Sequence, residues 1–126
     1  MLIATINEPQ PGHLAVVQAE MRTLGGPTLR AIYDRSQDVV LLLEGSHRWA
    51  AASALGLPVH LIGVPDDAPL SPAEIGYDDC GFFDGESTTA GMLRDRIASP
   101  RGTYAGCPLY EVSDDLADAI RAMLAA

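Results

Sequence analysis

Lysine is absent from this sequence, and basic residues are scarce. Eight arginines face seventeen acidic residues across 126 positions, giving a formal charge of −9. A chain that gripped duplex DNA on its own would carry a basic stripe, because phosphate neutralisation supplies much of the affinity. No such stripe is present, which argues against DNA as a partner of this chain alone. Cysteine is nearly absent too. Cys80 and Cys107 lie far apart, in no Cys-x-x-Cys or His-Cys ligand spacing, and read as inert thiols. No run approaches the ~20 apolar residues that span a bilayer. The opening MLIATINEPQPG lacks the basic start and long apolar segment of a signal peptide. These absences set the expectation of a cytoplasmic protein with reduced thiols. The arginine-only, alanine-rich usage has the character of a GC-rich bacterial or phage genome.

What remains is enough apolar content to fold. With 48% apolar residues, the chain fits one globular domain with a single core. The negative charge has a location. Residues 1–65 hold four arginines against five acidic residues (−1), whereas residues 66–126 hold four against twelve (−8). The domain of 1–126 therefore divides near Pro65 into a near-neutral core, 1–65, and an acidic extension, 66–126. An acidic half of this kind suits docking on a basic protein partner.

Leu2 to Ile6 is a short apolar run that suits a first strand, broken by Glu8-Pro9-Gln10-Pro11-Gly12. From His13 the pattern becomes helical, with Leu14, Val17, Met21 and Leu24 at spacings of three or four. Gly25-Gly26-Pro27 stops that helix. Leu29–Tyr33 and Val39–Leu43 read as a hairpin around the polar turn Asp34–Asp38, the second strand buried on both faces. Ser46–Leu55 is an alanine-rich helix capped by Gly56, and Pro58 precedes a strand over Val59–Val64. Beyond Pro65 come a linker-like Asp66–Leu70 and a capping box at Ser71-Pro72-Ala73-Glu74. An acidic loop, Tyr77–Ser87, surrounds Phe82-Phe83. A helix over Thr88–Ala98 carries Met92, Leu93 and Ile97 as its apolar positions. A Gly/Pro-rich loop, Ser99–Pro108, leads to a last helix from near Ser113, with Leu116, Ile120 and Leu124 one per turn. There is no internal repeat. The expected fold class is α+β: a small mixed sheet followed by a mainly helical C-terminal appendage.

The stretch that organises the chain is VVLLLEGSHRWAAASALGLPVHLIGV, residues 39–64. At its corner, Glu44-Gly45-Ser46-His47-Arg48, a strand stops and a helix begins. The first turn of a helix has unpaired N–H groups with partial positive charge. Gly45 permits close approach of a ligand, Ser46 can donate a hydroxyl, and His47 and Arg48 add donors, Arg48 in bidentate fashion. The set describes an anion site suited to a phosphate chain. A purely structural reading also stands: Ser46 as an N-cap, Arg48 paired with Glu44 or Glu20, and His47 on the surface. Glu44 has two readings of its own. Beside phosphates and Mg²⁺ it can bind the metal or accept a proton, and turned away by strand alternation it pairs with an arginine.

LEGSHRWAAASALGLPVHLIGV resembles the core motif of the ParB/sulfiredoxin superfamily, in which a strand runs into a Gly-x-x-Arg corner, an alanine-rich helix, a Leu-Gly pair and a final strand. GGPTLRAIYDRSQDVVLLLEG resembles the Gly-x-x-x-Pro-hairpin arrangement that precedes it. The resemblance covers residues 8–65, about half the chain. It implies a nucleotide-binding protein holding a nucleoside di- or triphosphate, ATP, ADP or CTP with Mg²⁺, at Gly45, Ser46, His47 and Arg48. Gly26 and Thr28 lie in the loop that forms the opposite wall in the family. Sulfiredoxins carry Gly-Cys-His-Arg at this corner, and Ser46 replaces the cysteine, so the thiolate chemistry is lost. ParB proteins carry Gly-Glu-Arg-Arg, which Gly45 and Arg48 match, and add a DNA-binding helical domain that residues 66–126 do not resemble. The superfamily's free-serine kinases use a carboxylate base, for which Glu8, Glu20 and Glu44 are candidates, with NTP hydrolysis or phosphotransfer as the implied chemistry. The competing expectation is a non-catalytic interaction module using its acidic half; a ParB-like DNA-binding or nuclease role ranks below both.

Trp49 reads as core rather than as cover for a base. His13 and His60 stand apart from His47, and their spacing suggests no metal site. His60 falls on an exposed strand face. The acidic loop at Asp78, Asp79, Asp84 and Glu86 lacks EF-hand spacing and reads as solvated.

Overall fold

A computed structural model describes residues 1–6, 10–70, 88–98, 104 and 106–125. Glu8, the capping box at 71–74, and the acidic loop with Cys80 and Phe82-Phe83 lie outside the described residues, as does most of the 99–108 loop.

The chain runs β1 (Leu2–Thr5), α1 (Pro11–Leu24), β2 (Thr28–Asp34), β3 (Val39–Leu42), α2 (Ser46–Leu55) and β4 (His60–Gly63). It continues through β5 (Pro69–Leu70), β6 (Thr88–Thr89), α3 (Ala90–Ala98), β7 (Leu109–Glu111) and α4 (Asp114–Ala125). The fold is α+β. A mixed five-stranded sheet has the order β4-β2-β3-β1-β7. β2 and β3 form the antiparallel hairpin, while β1 lies parallel to β3 and β4 parallel to β2. Every residue of β3 is buried, as an apolar run at the sheet centre requires.

Alternation sends side chains to two cores. On one face Ile3, Leu29, Val40 and Leu61 pack with Trp49 of α2 and Ile120 of α4. On the other, Ala4, Ile32 and Leu41 pack with Leu93 and Ile97 of α3 and with the buried Tyr104. The Tyr104 hydroxyl donates to Asp34 Oδ2 at 2.9 Å. α1 lies on α2, where Ala51 and Ala52 admit Val17 and Met21. Val17 and Met21 thus face inward as the spacing predicts, but Leu24 is 78% exposed because Gly25 ends the helix before a neighbour can cover it.

After Pro65 the described residues are mostly helical, in α3 and α4, and they also add to the sheet. β7 pairs antiparallel with β1 as an edge strand, where the sequence had suggested only a loop and a helix. The supposed linker contributes Pro69–Leu70 to a ladder with Thr88–Thr89. Those β-branched threonines stay extended, and Thr89 Oγ1 then accepts the Met92 N–H at 3.2 Å, so α3 begins later than the pattern implied. Leu93 and Ile97 turn inward while Met92 is exposed. α4 begins where expected, with Ser113 Oγ accepting the Leu116 N–H. Its Arg121 reaches Asp38 Oδ2 in the hairpin turn at 2.7 Å. The Tyr33 hydroxyl and Arg121 together hold the Asp38 carboxyl down at about 2. Among the described residues no helix is long and apolar enough to cross a membrane.

Candidate functional site

The parallel strands β1 and β3 end on the same edge of the sheet, and a cleft of about 520 Å³ opens there. Its floor is Glu44-Gly45-Ser46-His47-Arg48, its long wall is α1, and its lip is Gly25-Gly26-Pro27. The volume falls in the usual range for small-ligand sites.

Gly45 sets the corner. It is the N-cap of α2 at φ 76°, ψ 34°, in the left-handed region, and offers no side-chain cap to the first turn. A Cβ there would stand 2.5 Å from Leu29 Cδ2 and 3.3 Å from both Nε and Nη2 of Arg48. The guanidinium therefore folds back over Gly45. Arg48 is half-buried and has no salt bridge or side-chain hydrogen bond to any described residue. Ser46 is buried at the same corner.

His47 is held from two sides. Its Nε2 accepts the Gln10 backbone N–H at 2.8 Å, which places the ring proton on Nδ1. Its ring meets that of His13 edge-on, with centroids 4.4 Å apart. Burial, reinforced by His13, pushes the His47 pKa down. His13 is thus part of the site, although the sequence reading set it apart from His47. The trace was present: His13, Val17 and Glu20 are spaced i, i+4, i+7 and share the cleft-facing side of α1.

Glu44 pairs with an arginine while still lining the cleft. Arg30 Nε and Nη2 bind its two carboxylate oxygens at 3.1 and 3.2 Å. That pairing leads the causes that hold its carboxyl below the usual value, against burial and with help from Arg48. Glu20 lines the same cleft, is exposed, and has no hydrogen-bond or ion-pair partner among the described residues.

Gly26 lines the cleft, but its lack of a side chain answers to packing, since a Cβ would fall 1.6 Å from the Pro58 carbonyl oxygen. Thr28 does not line it; it opens β2 in register with His60. Trp49 is core, 3% exposed, and lies outside the cleft. His60 is exposed. Among the described residues no three His, Cys, Asp or Glu side chains are grouped to hold a metal. Comparison of the chain with protein-family models, with curated proteins and with solved structures returned no match.

Proposed function

We propose that this chain is a ParB/sulfiredoxin-like nucleotide-binding protein, holding a nucleoside di- or triphosphate with Mg²⁺ over Gly45–Arg48. The observation that carries the reading is Arg48. A half-buried guanidinium with no salt bridge to any described residue lies over a left-handed glycine at a helix N-terminus that has no side-chain cap. Arg48 and the N–H groups of the first turn are donors of positive character, the neighbouring Glu44 is engaged by Arg30, and a phosphate would supply acceptors for them. His47 adds its Nδ1–H. Val17, Met21 and Leu24 give the α1 wall an apolar surface against which a nucleoside can rest.

Mg²⁺ suits this donor set. It keeps most of its water and is usually held by phosphates with one or two carboxylates, and Glu20 is a wall carboxylate with no ion pair to any described residue. The ion would offset phosphate charge that one arginine cannot balance alone. Any hydrolysis or phosphotransfer falls to Glu20 rather than Glu44, whose oxygens are both engaged by Arg30. Ser46 offers no thiolate, so sulfiredoxin chemistry does not fit.

Calorimetry with ATP, ADP and CTP in the presence of Mg²⁺ tests the reading. At least one binds, and Arg48→Ala weakens it by about tenfold or more, the value of a charge-assisted hydrogen bond. Failure of all three to bind at millimolar concentration, or unchanged affinity in Arg48→Ala, overturns it. A second reading, docking of the acidic half on a basic protein, draws on the exposed Glu111, Asp114, Asp115 and Asp118 around the start of α4.

A further inference from the structure

The two outer strands of the sheet end differently. On β4, the His60 and Val64 N–H groups turn to β2, donating to the carbonyls of Pro27 and Ala31. Leu61 and Gly63 therefore turn their backbone groups outward. The end of α4 meets both. The Leu61 N–H donates to Met123 Sδ at 3.5 Å, and a Cβ on Gly63 would stand 3.5 Å from the Leu124 carbonyl oxygen. That edge is covered.

β7 has no such cover among the described residues. The Thr5 N–H donates to the Pro108 carbonyl and the Val112 N–H to that of Met1, with Ile3 opposite Tyr110 between them. Antiparallel alternation then turns the N–H and C=O groups of Leu109 and Glu111 away from β1. Beyond the ladder, no hydrogen bond joins these four groups to any described residue. Leu109 is 43% exposed, and Glu111 is exposed beside it. Pro108 does not blunt this edge, because its missing N–H would have faced β1.

Such a row of outward groups is a template for one more strand. The charge beside it selects which strand. Glu111 lies on the edge itself, and Asp114, Asp115 and Asp118 follow, exposed, in α4. No basic residue occurs from Gly102 to Ile120. A second copy would bring the same acids together, with a formal charge of −9 on each chain. A basic strand is complementary.

We propose that β7 is a docking edge for an extended cationic segment of another protein, which joins the sheet antiparallel to β7. Its main chain bonds Leu109 and Glu111. An arginine or lysine stands opposite Glu111, and two residues on an apolar side chain stands opposite Leu109. The edge shares no residue with the cleft at Gly45–Arg48. From docking by the acidic half it takes only the sign of the partner's charge.

The probe is the peptide acetyl-Arg-Thr-Arg-Thr-Val-Thr-amide, titrated into the unaltered chain by calorimetry. It binds saturably, more weakly as salt rises, and slows exchange of the Leu109 and Glu111 amide protons. N-methylation of its second arginine and its valine, whose N–H groups would face β7, weakens binding about tenfold or more. N-methylation of the threonine between them does not. Leu109→Pro, which removes an outward N–H and no ladder bond, also weakens binding. The proposal fails if the peptide does not bind saturably. It fails if the two methylated peptides bind alike, which would leave docking by charge alone. It fails too if the chain by itself sediments as a dimer that Leu109→Pro dissociates, which would give the edge to a second copy. The methylated peptides are read on the unaltered chain, so the test stands even if Leu109→Pro does not fold.

Discussion

His47 Nε2 accepts the backbone N–H of Gln10 across 37 positions of sequence, tying the approach to α1 to the first turn of α2. Only the neutral ring can do this, because a protonated Nε2 would set a donor against a donor. Burial and the neighbouring His13 hold the pKa of His47 below its ordinary 6.5 in the folded chain. The unfolded chain therefore binds the proton more readily. Stability is fully present above the ordinary histidine value and declines as pH falls below it toward the lower folded value. Denaturant unfolding followed from about pH 8 to about pH 5 reads this decline. His47→Gln, whose amide oxygen can stand where Nε2 stands, removes the part of it due to this residue. An unaltered pH profile in that variant would place the titration elsewhere.

The Arg30–Glu44 pair assigns the corner's nearest carboxylate a structural role. Both side chains are about a third exposed, at 39% and 30%, and a pair so placed contributes up to about 1 kcal/mol. Glu44→Gln should cost no more than that in denaturant unfolding, and nucleotide affinity should not fall. Glu20→Gln should instead reduce the dependence of nucleotide binding on Mg²⁺. A larger loss of affinity from Glu44→Gln than from Glu20→Gln would return Glu44 to the ligand.

Two glycines separate strain from collision. Gly56 caps α2 at φ 67° with open space around it, so Gly56→Ala meets only backbone strain, about 1–2 kcal/mol. Gly26 approaches the Pro58 carbonyl so closely that a methyl group cannot fit without moving backbone. Gly26→Ala should cost more, about 2–3 kcal/mol, and shift the Pro27 side of the cleft enough to weaken nucleotide binding. Equal midpoints in urea for the two variants would reduce Gly26 to a helix stop.

The elements that were legible in the sequence carry their signals locally. Val39–Leu42 is an unbroken buried run, Ser46–Leu55 is rich in alanine, and Gly56 and Gly25 stop their helices at positive φ. What was hidden depends on distant partners. β7 is three residues long and exists because β1 leaves an edge for it, a pairing that spans most of the chain. Pro69–Leu70 becomes a strand only when Thr88–Thr89 lies beside it. The corner was visible, but its wiring was not. Which arginine takes Glu44 depends on the hairpin register, which brings Arg30 opposite Leu43 through the Leu43 N–H to Arg30 carbonyl bond. That His13 meets His47 depends on how α1 lies across α2.

β1 has a history as well as a position. Leu2 stands between Val39 on one side and Glu111 on the other. During synthesis the first neighbour follows within a few dozen residues, while the second is among the late arrivals. In that interval one flank of β1 presents bare N–H and C=O groups, the condition under which strands of separate chains join. Three residues, Leu109 to Glu111, close that flank. Closure of that edge therefore waits on one of the last segments of the chain to be made.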